Sequence, residues 1–420
     1  MCLDVGSTWT KGALVSATGE LLGTAQHRTT PPEVMDGVDA VRAALGEGQV
    51  LACSSAGGGL RLAVVGQERL VSAEAGHRVA LSAGAKVVHV SSGEMDGAGL
   101  RALRAARPDV VLLVGGTDGG DERVLLHNAR RLGVNRVKVP IVLAGNASAR
   151  DAALGLLQGR VVVPTANVLP DVGELAPGPA RAAIRSVFLD HVIGGKGLSR
   201  GSRFRRVVRT VTPDAVLAGV TRLAGVRASD SSAGAVVVVD VGGATTDVYS
   251  AVSTVDSGAR TVALPADRRT VEGDIGMRWS ARGVVAEGVV ERVPVEGLES
   301  VAAHRSSCVD FVPGSPGEFE EDLRLASVAA VLALRRHLRL VDGDLGPHGA
   351  TLLVLSGGVF RHASDLSSVH GFLRDDPVLR PVLKKAEIVV DRDYLLAPAG
   401  LLADAGHGGV ADALVGRIGR

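Results

Sequence analysis

Asp4-Val5-Gly6-Ser7-Thr8-Trp9-Thr10-Lys11 and Asp240-Val241-Gly242-Gly243-Ala244-Thr245-Thr246-Asp247 are the two stretches that decide the fold of this chain. Each follows an apolar run, sets an acid at a strand end, turns on glycine and then offers hydroxyls. A glycine turn lets backbone N–H groups approach an anion with no side chain in between. The hydroxyls of Ser7, Thr8, Thr10, Thr245 and Thr246 add donors, and Asp4 and Asp240 are placed to hold a hydrated Mg²⁺. One such turn is an ordinary β-hairpin, because 55 of the 420 residues are glycine. Two of them, each followed by another strand-like run, point to a duplicated nucleotide-binding fold.

A third element agrees. Thr351-Leu352-Leu353-Val354-Leu355-Ser356-Gly357-Gly358-Val359 is an apolar strand running into a Gly-Gly turn, and Leu395 to Ala403 follows as a small-residue helix start. In this order the segments resemble the actin, sugar kinase and Hsp70 ATPase superfamily: two phosphate loops, an adenosine loop, then a connecting helix. The position of Lys11 is similar to the actin branch, where a lysine reaches the phosphates. Val271-Glu272-Gly273-Asp274-Ile275-Gly276 lies where the Hsp70 branch carries a Gly-rich acidic turn. Gly115-Gly116-Thr117-Asp118-Gly119-Gly120-Asp121, Asn167-Val168-Leu169-Pro170, Lys196-Gly197-Leu198 and Val271 to Arg278 narrow the likeness. These segments resemble the glutamate mutase accessory protein family, ATPase-like proteins associated with adenosylcobalamin-dependent mutases. The similarity runs from Asp4 to Ala403.

The resemblance implies an α/β fold with two actin-like ATPase lobes of ribonuclease H type and a parallel α/β subdomain inserted in the first lobe. Residues 1–60 and 176–232 would form the first lobe, 61–175 the insertion and 233–420 the second lobe. ATP or ADP with Mg²⁺ would sit in the cleft. Asp4 and Asp240 would hold the metal through water. Backbone and side-chain donors of Gly6, Ser7, Thr8, Thr10, Lys11, Gly242, Gly243, Ala244, Thr245 and Thr246 would bind phosphates, and Gly357 and Gly358 would let the adenine or ribose lie against the backbone. Asp240 is the first candidate to orient an attacking water and Glu272 the second, with Asp247 bracing the hairpin. The implied role is an accessory ATPase that reactivates or assists a mutase. No Asp-x-His-x-x-Gly element for holding cobalamin through a histidine occurs in the chain, which separates it from the mutase itself. A small-molecule kinase and a nucleotide-dependent scaffold with little turnover are the alternatives on the same fold.

Composition bounds the rest. Hydrophobic residues make up 46% of the chain, enough for sizeable cores, and a formal charge of +1 shows no nucleic-acid or anionic-membrane surface. The basic run from Arg200 to Arg209 reads as a solvated face. Cys2, Cys53 and Cys308 have neither metal-ligand nor disulfide-framework spacing. The eleven histidines form no zinc motif. Without a charged segment leading into an apolar start, or an apolar run of roughly 18 residues, a cytoplasmic protein is expected. Because only Met1-Cys2-Leu3 precedes Asp4, the first strand is unusually short, through either a late start or truncation.

Along the chain, Leu3 to Gln26 reads as three strands and Val50 to Ala56 as another, ending at Gly57-Gly58-Gly59. Lys86 to Val90, Val110 to Val114, Ile141 to Ala144 and Val161 to Val163 are short apolar strands separated by helices, the pattern of a parallel sheet covered on both faces. Arg181 to His191 and Pro213 to Leu223 lead onward as helices, and Arg260 to Thr270 is extended. Glu318 to Leu340 has helical apolar periodicity, with Phe319, Leu323, Leu325, Val328, Val331, Leu332 and Leu338 on one core-facing side. The loop from Gly115 to Asp121 lies after a parallel strand, where ligands or partners bind. Thr117, Asp118 and Asp121 equally suit plain helix capping.

Overall fold

The computed structural model describes residues 1–55, 60–68, 76, 79–80, 85–172, 174–188, 202–229, 234–252, 267–341, 345 and 349–419. The segments 57–59, 196–198 and 260–266, and the ends of the expected helix 181–191 and basic run 200–209, lie outside the described residues. The chain divides into two compact units. One joins Met1–Gly58, Ser199–Ser257 and Pro265–Arg420; the other is Gly59–Leu198 with Gly258–Leu264.

The first unit carries two five-stranded sheets of one topology. In the first sheet, β1 (Cys2–Val5), β2 (Trp9–Val15) and β3 (Leu21–Arg28) form an antiparallel meander. β4 (Leu51–Ser54) lies parallel to β1, and β10 (Val208–Val211) lies parallel to β4. In the second, β11 (Ala235–Val241), β12 (Thr246–Val252) and β13 (Asp267–Glu272) form the meander, with β14 (Ala350–Ser356) parallel to β11 and β15 (Glu387–Val390) parallel to β14. Counted from each first strand, both orders are 3-2-1-4-5. This is the two-lobed actin-like architecture. β1 is only four residues long, yet it is central, paired on both sides and buried throughout. That explains why its sequence is apolar up to Asp4.

Two helices join the lobes into one core. Thr212–Ser229 and Leu396–Asp404 cross so closely that a Cβ on Gly219 would strike the Leu396 carbonyl and one on Gly400 the Ala215 carbonyl. The small residues of the second helix are therefore a packing requirement. The cluster around them takes Cys2, Leu51 and Cys53 from the first sheet and Val236, Val238, Leu352 and Val354 from the second. On the other face of the second sheet lies the helix Pro316–Leu340, opened by a capping box between Ser315 and Glu318. Its Leu323, Leu325, Val328, Val331, Leu332 and Leu338 are buried, while Phe319 stays exposed at the first turn.

The second unit interrupts the first lobe between β4 and β10. Its sheet is wholly parallel, in the order β6-β5-β7-β8-β9: β5 is Arg61–Gly66, β6 Lys86–Ser92, β7 Val110–Leu113, β8 Ile141–Leu143 and β9 Val162–Pro164. Helices Gly97–Ala105, Arg123–Val134 and Arg150–Leu156 connect these strands, and the unit has its own apolar core. The helix Pro177–Val187 belongs to this unit by contact. Among the described residues, no helix is long and apolar enough to cross a membrane.

Candidate functional site

The two octets form the same hairpin twice. Asp4 pairs with Lys11 and Val5 with Thr10; Asp240 pairs with Asp247 and Val241 with Thr246. The Gly6 N–H donates to the Trp9 carbonyl at 3.0 Å, and the Gly242 N–H to the Thr245 carbonyl at 2.9 Å. A Cβ on Gly6 would lie 2.7 Å from the Trp9 oxygen, and one on Gly242 2.9 Å from the Thr245 oxygen. Glycine is required at both places by the tightness of the turn.

Neighbouring segments take up the turn carbonyls and leave the amides open. Thr29 donates its N–H to the Thr8 carbonyl (2.9 Å) and its hydroxyl to the Gly6 carbonyl (2.8 Å). In the second turn the Met277 N–H reaches the Gly242 carbonyl (2.9 Å), and the N–H groups of Arg278 and Trp279 reach that of Gly243 (2.8 and 3.0 Å). Among the described residues, the N–H groups of Ser7, Thr8, Gly243 and Ala244 have no acceptor. The turns face one another: a Cβ built on Gly243 would sit 3.6 Å from the Thr8 methyl. Open N–H donors on two facing turns are an arrangement that suits an anion.

Around the turns the charges are mostly acidic. The buried Asp4 carboxylate accepts hydrogen bonds from the Thr212 hydroxyl, from the Tyr394 hydroxyl at 2.7 Å and from the Cys53 thiol at 3.5 Å. The Lys11 ammonium rests 3.6 Å above the centre of the Tyr394 ring, a cation–π contact. Tyr394 holds a left-handed backbone (φ 56°), a conformation a bulky residue adopts only where its surroundings impose it. Burial pushes the Asp240 carboxyl above the ordinary carboxylate range; Lys11 and the Ser356 hydroxyl oppose the shift, and Asp247 and Asp4 add to it. Asp391 accepts the N–H groups of Leu395 (2.7 Å) and Leu396 (3.2 Å) at a helix start. Burial raises it to about 6, with the Asp240 charge contributing. An oxygen-rich, acidic surround with Lys11 as its facing cation suits a hydrated Mg²⁺. Among the described residues no three His, Cys, Asp or Glu side chains are grouped to ligate a metal directly, so the fit is through water.

The structure brings Asp4, Gly6, Ser7, Thr8 and Lys11 together with Asp240, Gly242, Gly243, Ala244 and Thr245. Gly357 joins them: it follows Ser356, which pairs with Asp240, and a Cβ on it would strike the Val241 carbonyl. Its φ of 112° demands glycine as well. Gly358, by contrast, has open space where a Cβ would stand. Thr10 and Thr246 point inward. Thr10 is fully buried and shares a hydrogen bond with Thr29 (3.1 Å), and the buried Thr246 hydroxyl has no partner among the described residues. Glu272 lies beside Thr246 in the sheet, where Arg336 engages it at 2.6 Å and burial raises its pKa. Asp247 braces the hairpin by accepting from Arg269 Nε at 3.0 Å and the Thr245 hydroxyl at 3.2 Å. Sequence reasoning missed Tyr394, Thr212 and Asp391. Asp391, just before the small-residue helix, could have been found as a cap; Tyr394 carries no local signal.

A family model described as "MutL protein" matches residues 1–417 of the chain. "Protein MutL" of Clostridium tetanomorphum is 32% identical over 443 residues, covering 96% of both chains. Among solved structures, nucleotide-free acetone carboxylase aligns at a TM-score of 0.40 with 12% identity, covering 96% of this chain and 70% of that one. A ROK family glucokinase from Streptomyces griseus, in complex with glucose and AMPPNP, aligns at 0.32 with 13% identity over 98% and 97%.

Proposed function

From the premise that this chain belongs to the MutL protein family, we propose that it is an ATP-binding and ATP-hydrolysing accessory protein of an adenosylcobalamin-dependent mutase of the glutamate mutase type. The observation that carries the nucleotide reading is the pair of facing turns, whose four N–H groups have no acceptor among the described residues.

In this reading the γ-phosphate is gripped by the amides of Ser7, Thr8, Gly243 and Ala244, and by the exposed Ser7 hydroxyl. Lys11 leaves the Tyr394 ring for the phosphate oxygens, exchanging a cation–π contact for a charge-assisted hydrogen bond. Asp240 orients the attacking water and takes up its proton, a task favoured by a carboxyl whose pKa lies above the ordinary range. Asp4, fixed by Thr212 and Tyr394, keeps its charge in place beside it. Mg²⁺, held through water by Asp4 and Asp240, would supply charge neutralisation on the phosphates. Gly358 offers the open backbone against which the adenosine lies.

Hydrolysis at these turns would change the spacing of the two lobes. The second turn has a route outward: Arg278, whose N–H holds Gly243, reaches the buried Asp322 on the helix Pro316–Leu340 at 2.9 Å, and Arg305 reaches the same carboxylate at 2.7 Å. The test is ATP turnover by the purified protein with and without candidate adenosylcobalamin-dependent mutases inactivated by turnover. The expected result is Mg²⁺-dependent hydrolysis, raised by the mutase and accompanied by recovery of its activity. Stimulation by a small-molecule acceptor that becomes phosphorylated would replace this reading with a kinase.

A further inference from the structure

Each of the two facing turns is held from behind by a bracing segment. On the first, Thr29 takes the Gly6 and Thr8 carbonyls; on the second, Met277, Arg278 and Trp279 take those of Gly242 and Gly243. A peptide unit is planar, and its N–H points opposite its C=O. Fixing the Gly6 carbonyl therefore aims the Ser7 N–H away from the brace. Fixing the Gly242 and Gly243 carbonyls does the same for the N–H groups of Gly243 and Ala244. The braces thus set the direction of the open donors.

A further set of contacts joins the two braces to each other. Arg28 ends β3 and immediately precedes Thr29. Its guanidinium donates to the Asp310 carboxylate and, at 3.0 Å, to the Asp310 carbonyl. It also lies 5.5 Å from the centre of the Trp9 ring, within cation–π range. Asp310 belongs to the loop between the helices Glu299–Ser307 and Pro316–Leu340. The next residue, Phe311, accepts the Arg278 Nε–H on its carbonyl at 3.1 Å. One short loop therefore meets the first brace through Asp310 and the second through Phe311.

The two ends of this loop are fastened differently. On the second-lobe side it is firm. The Phe311 N–H donates to the Cys308 carbonyl at 2.9 Å, the His304 ring meets the Phe311 ring edge-on at 5.1 Å, and the Arg305 guanidinium lies 3.9 Å from the ring centre. Arg305 is held in turn by Glu321 (3.0 Å) and by the buried Asp322 (2.7 Å), the acid that Arg278 also reaches. On the first-lobe side the link is light. The Arg28 and Asp310 side chains are 46% and 84% exposed, and exposed ion pairs are weak and screened by salt. A link of that strength can open and re-form within a binding cycle, which a buried one could not do readily. We propose that Arg28 and the loop of Asp310 and Phe311 form a strap across the two turns that slows the departure of nucleotide. The proposal rests on the nucleotide reading and gives that site its release control. While the strap is closed, both braces are tied at a fixed spacing and both turns can grip one phosphate. When Arg28 lets go of Asp310, the second brace keeps its own support and the first is free to draw back.

The test is stopped-flow release of N-methylanthraniloyl-ADP from the full-length protein, chased by excess unlabelled ADP. Arg28→Ala, Asp310→Ala and the double variant are compared with the parent, with melting temperatures measured beside them. Each single change should speed release about two- to fivefold, the scale of one exposed ion pair, with the melting temperature held. The double variant should release no faster than the faster single one, because both changes remove the same link. At about 1 M salt, where screening leaves charges a reach of about 3 Å, the parent and Asp310→Ala should release alike. Release at the parent rate in either single variant, or single effects that multiply in the double, overturns the strap and leaves the nucleotide reading standing. No binding of the labelled ADP by the parent removes that reading and the strap with it.

Discussion

The hairpin at Asp4–Lys11 and the hairpin at Asp240–Asp247 share a backbone, a register and a turn hydrogen bond, but differ in how their leading acids are kept. Asp4 is surrounded by donors: the Thr212 and Tyr394 hydroxyls and the Cys53 thiol. Asp240 has the Ser356 hydroxyl and the Lys11 charge against a burial that raises its pKa. At the far end of each octet the sign also changes, Lys11 opposite Asp4 and Asp247 opposite Asp240. The two turns are thus equal in backbone, and the side chains around them differ. The first hairpin carries a fully hydrogen-bonded acid and a cation; the second carries an acid that burial raises, the one to which the proposed function gives the proton transfer.

The sharpest break between the two acids of the second hairpin comes from Asp240→Asn and Asp247→Asn. Asp240→Asn should lower ATP turnover by roughly 10²–10³-fold, the scale of losing one group that acts on the transition state, while its melting temperature holds or rises. Asp247→Asn removes the partner of the buried Arg269 and should cost about 3–5 kcal/mol of stability. Single-turnover kinetics beside thermal denaturation separate the two. Equal turnover in Asp240→Asn and the parent would end the assignment of Asp240.

The third glycine element can be divided in the same manner. Gly357→Val forces a branched side chain into φ 112° and into the Val241 carbonyl, so loss of fold is expected. Gly358→Val meets open space, so the fold should survive while nucleotide affinity falls by about tenfold or more, roughly 1.4 kcal/mol. Calorimetric titration with ADP checks it. Unchanged affinity in a folded Gly358→Val would move the adenosine elsewhere.

What sequence made legible follows from range. The hairpins, the Gly-Gly turn and the helix Pro316–Leu340 are local: their glycines, strand-end acids and helical period lie within a few turns of chain. The inward orientation of Thr10 and Thr246 is also local in principle, because alternate strand residues face opposite sides. It was obscured by the chemical appeal of a hydroxyl after a glycine. Tyr394 could not be read at all. It reaches Asp4 across 390 positions, and its left-handed backbone is imposed by the fold. Arg336, which engages Glu272 across 64 positions, is hidden for the same reason.

A smaller effect should come from Asp391, which shares the acidic field of Asp240. Its pKa is raised from 3.8 to about 6, so the folded chain holds its proton more tightly than the unfolded one. The stability this contributes is fully present below about pH 4 and is lost as pH rises through about 6. Asp391→Asn keeps the acceptor for the Leu395 N–H and cannot ionise. Its stability should therefore fall less than the parent's between pH 4 and pH 6 in urea denaturation. Parallel curves would place the proton on another group.

The gentlest probe of the two hairpins uses the chain's two tryptophans, since one belongs to each turn. The Trp9 carbonyl closes the first turn, and the Trp279 N–H holds the Gly243 carbonyl of the second. Trp279→Phe leaves Trp9 to report on the first turn, and Trp9→Phe leaves Trp279, which is 63% exposed, to report on the second. Phe keeps the backbone bonds, so neither change should alter nucleotide affinity by more than about twofold, under 0.5 kcal/mol. If a single phosphate is gripped by both turns at once, titration with a non-hydrolysable ATP analogue must give one midpoint for both emissions. ADP, lacking that phosphate, should move the two signals less than the analogue does. The first turn, with Lys11 ready to follow the remaining phosphates, should keep more of its response than the second. Two well-separated midpoints for the analogue would mean that the hairpins bind in sequence, and the equivalence of their backbones would then say nothing about a shared grip.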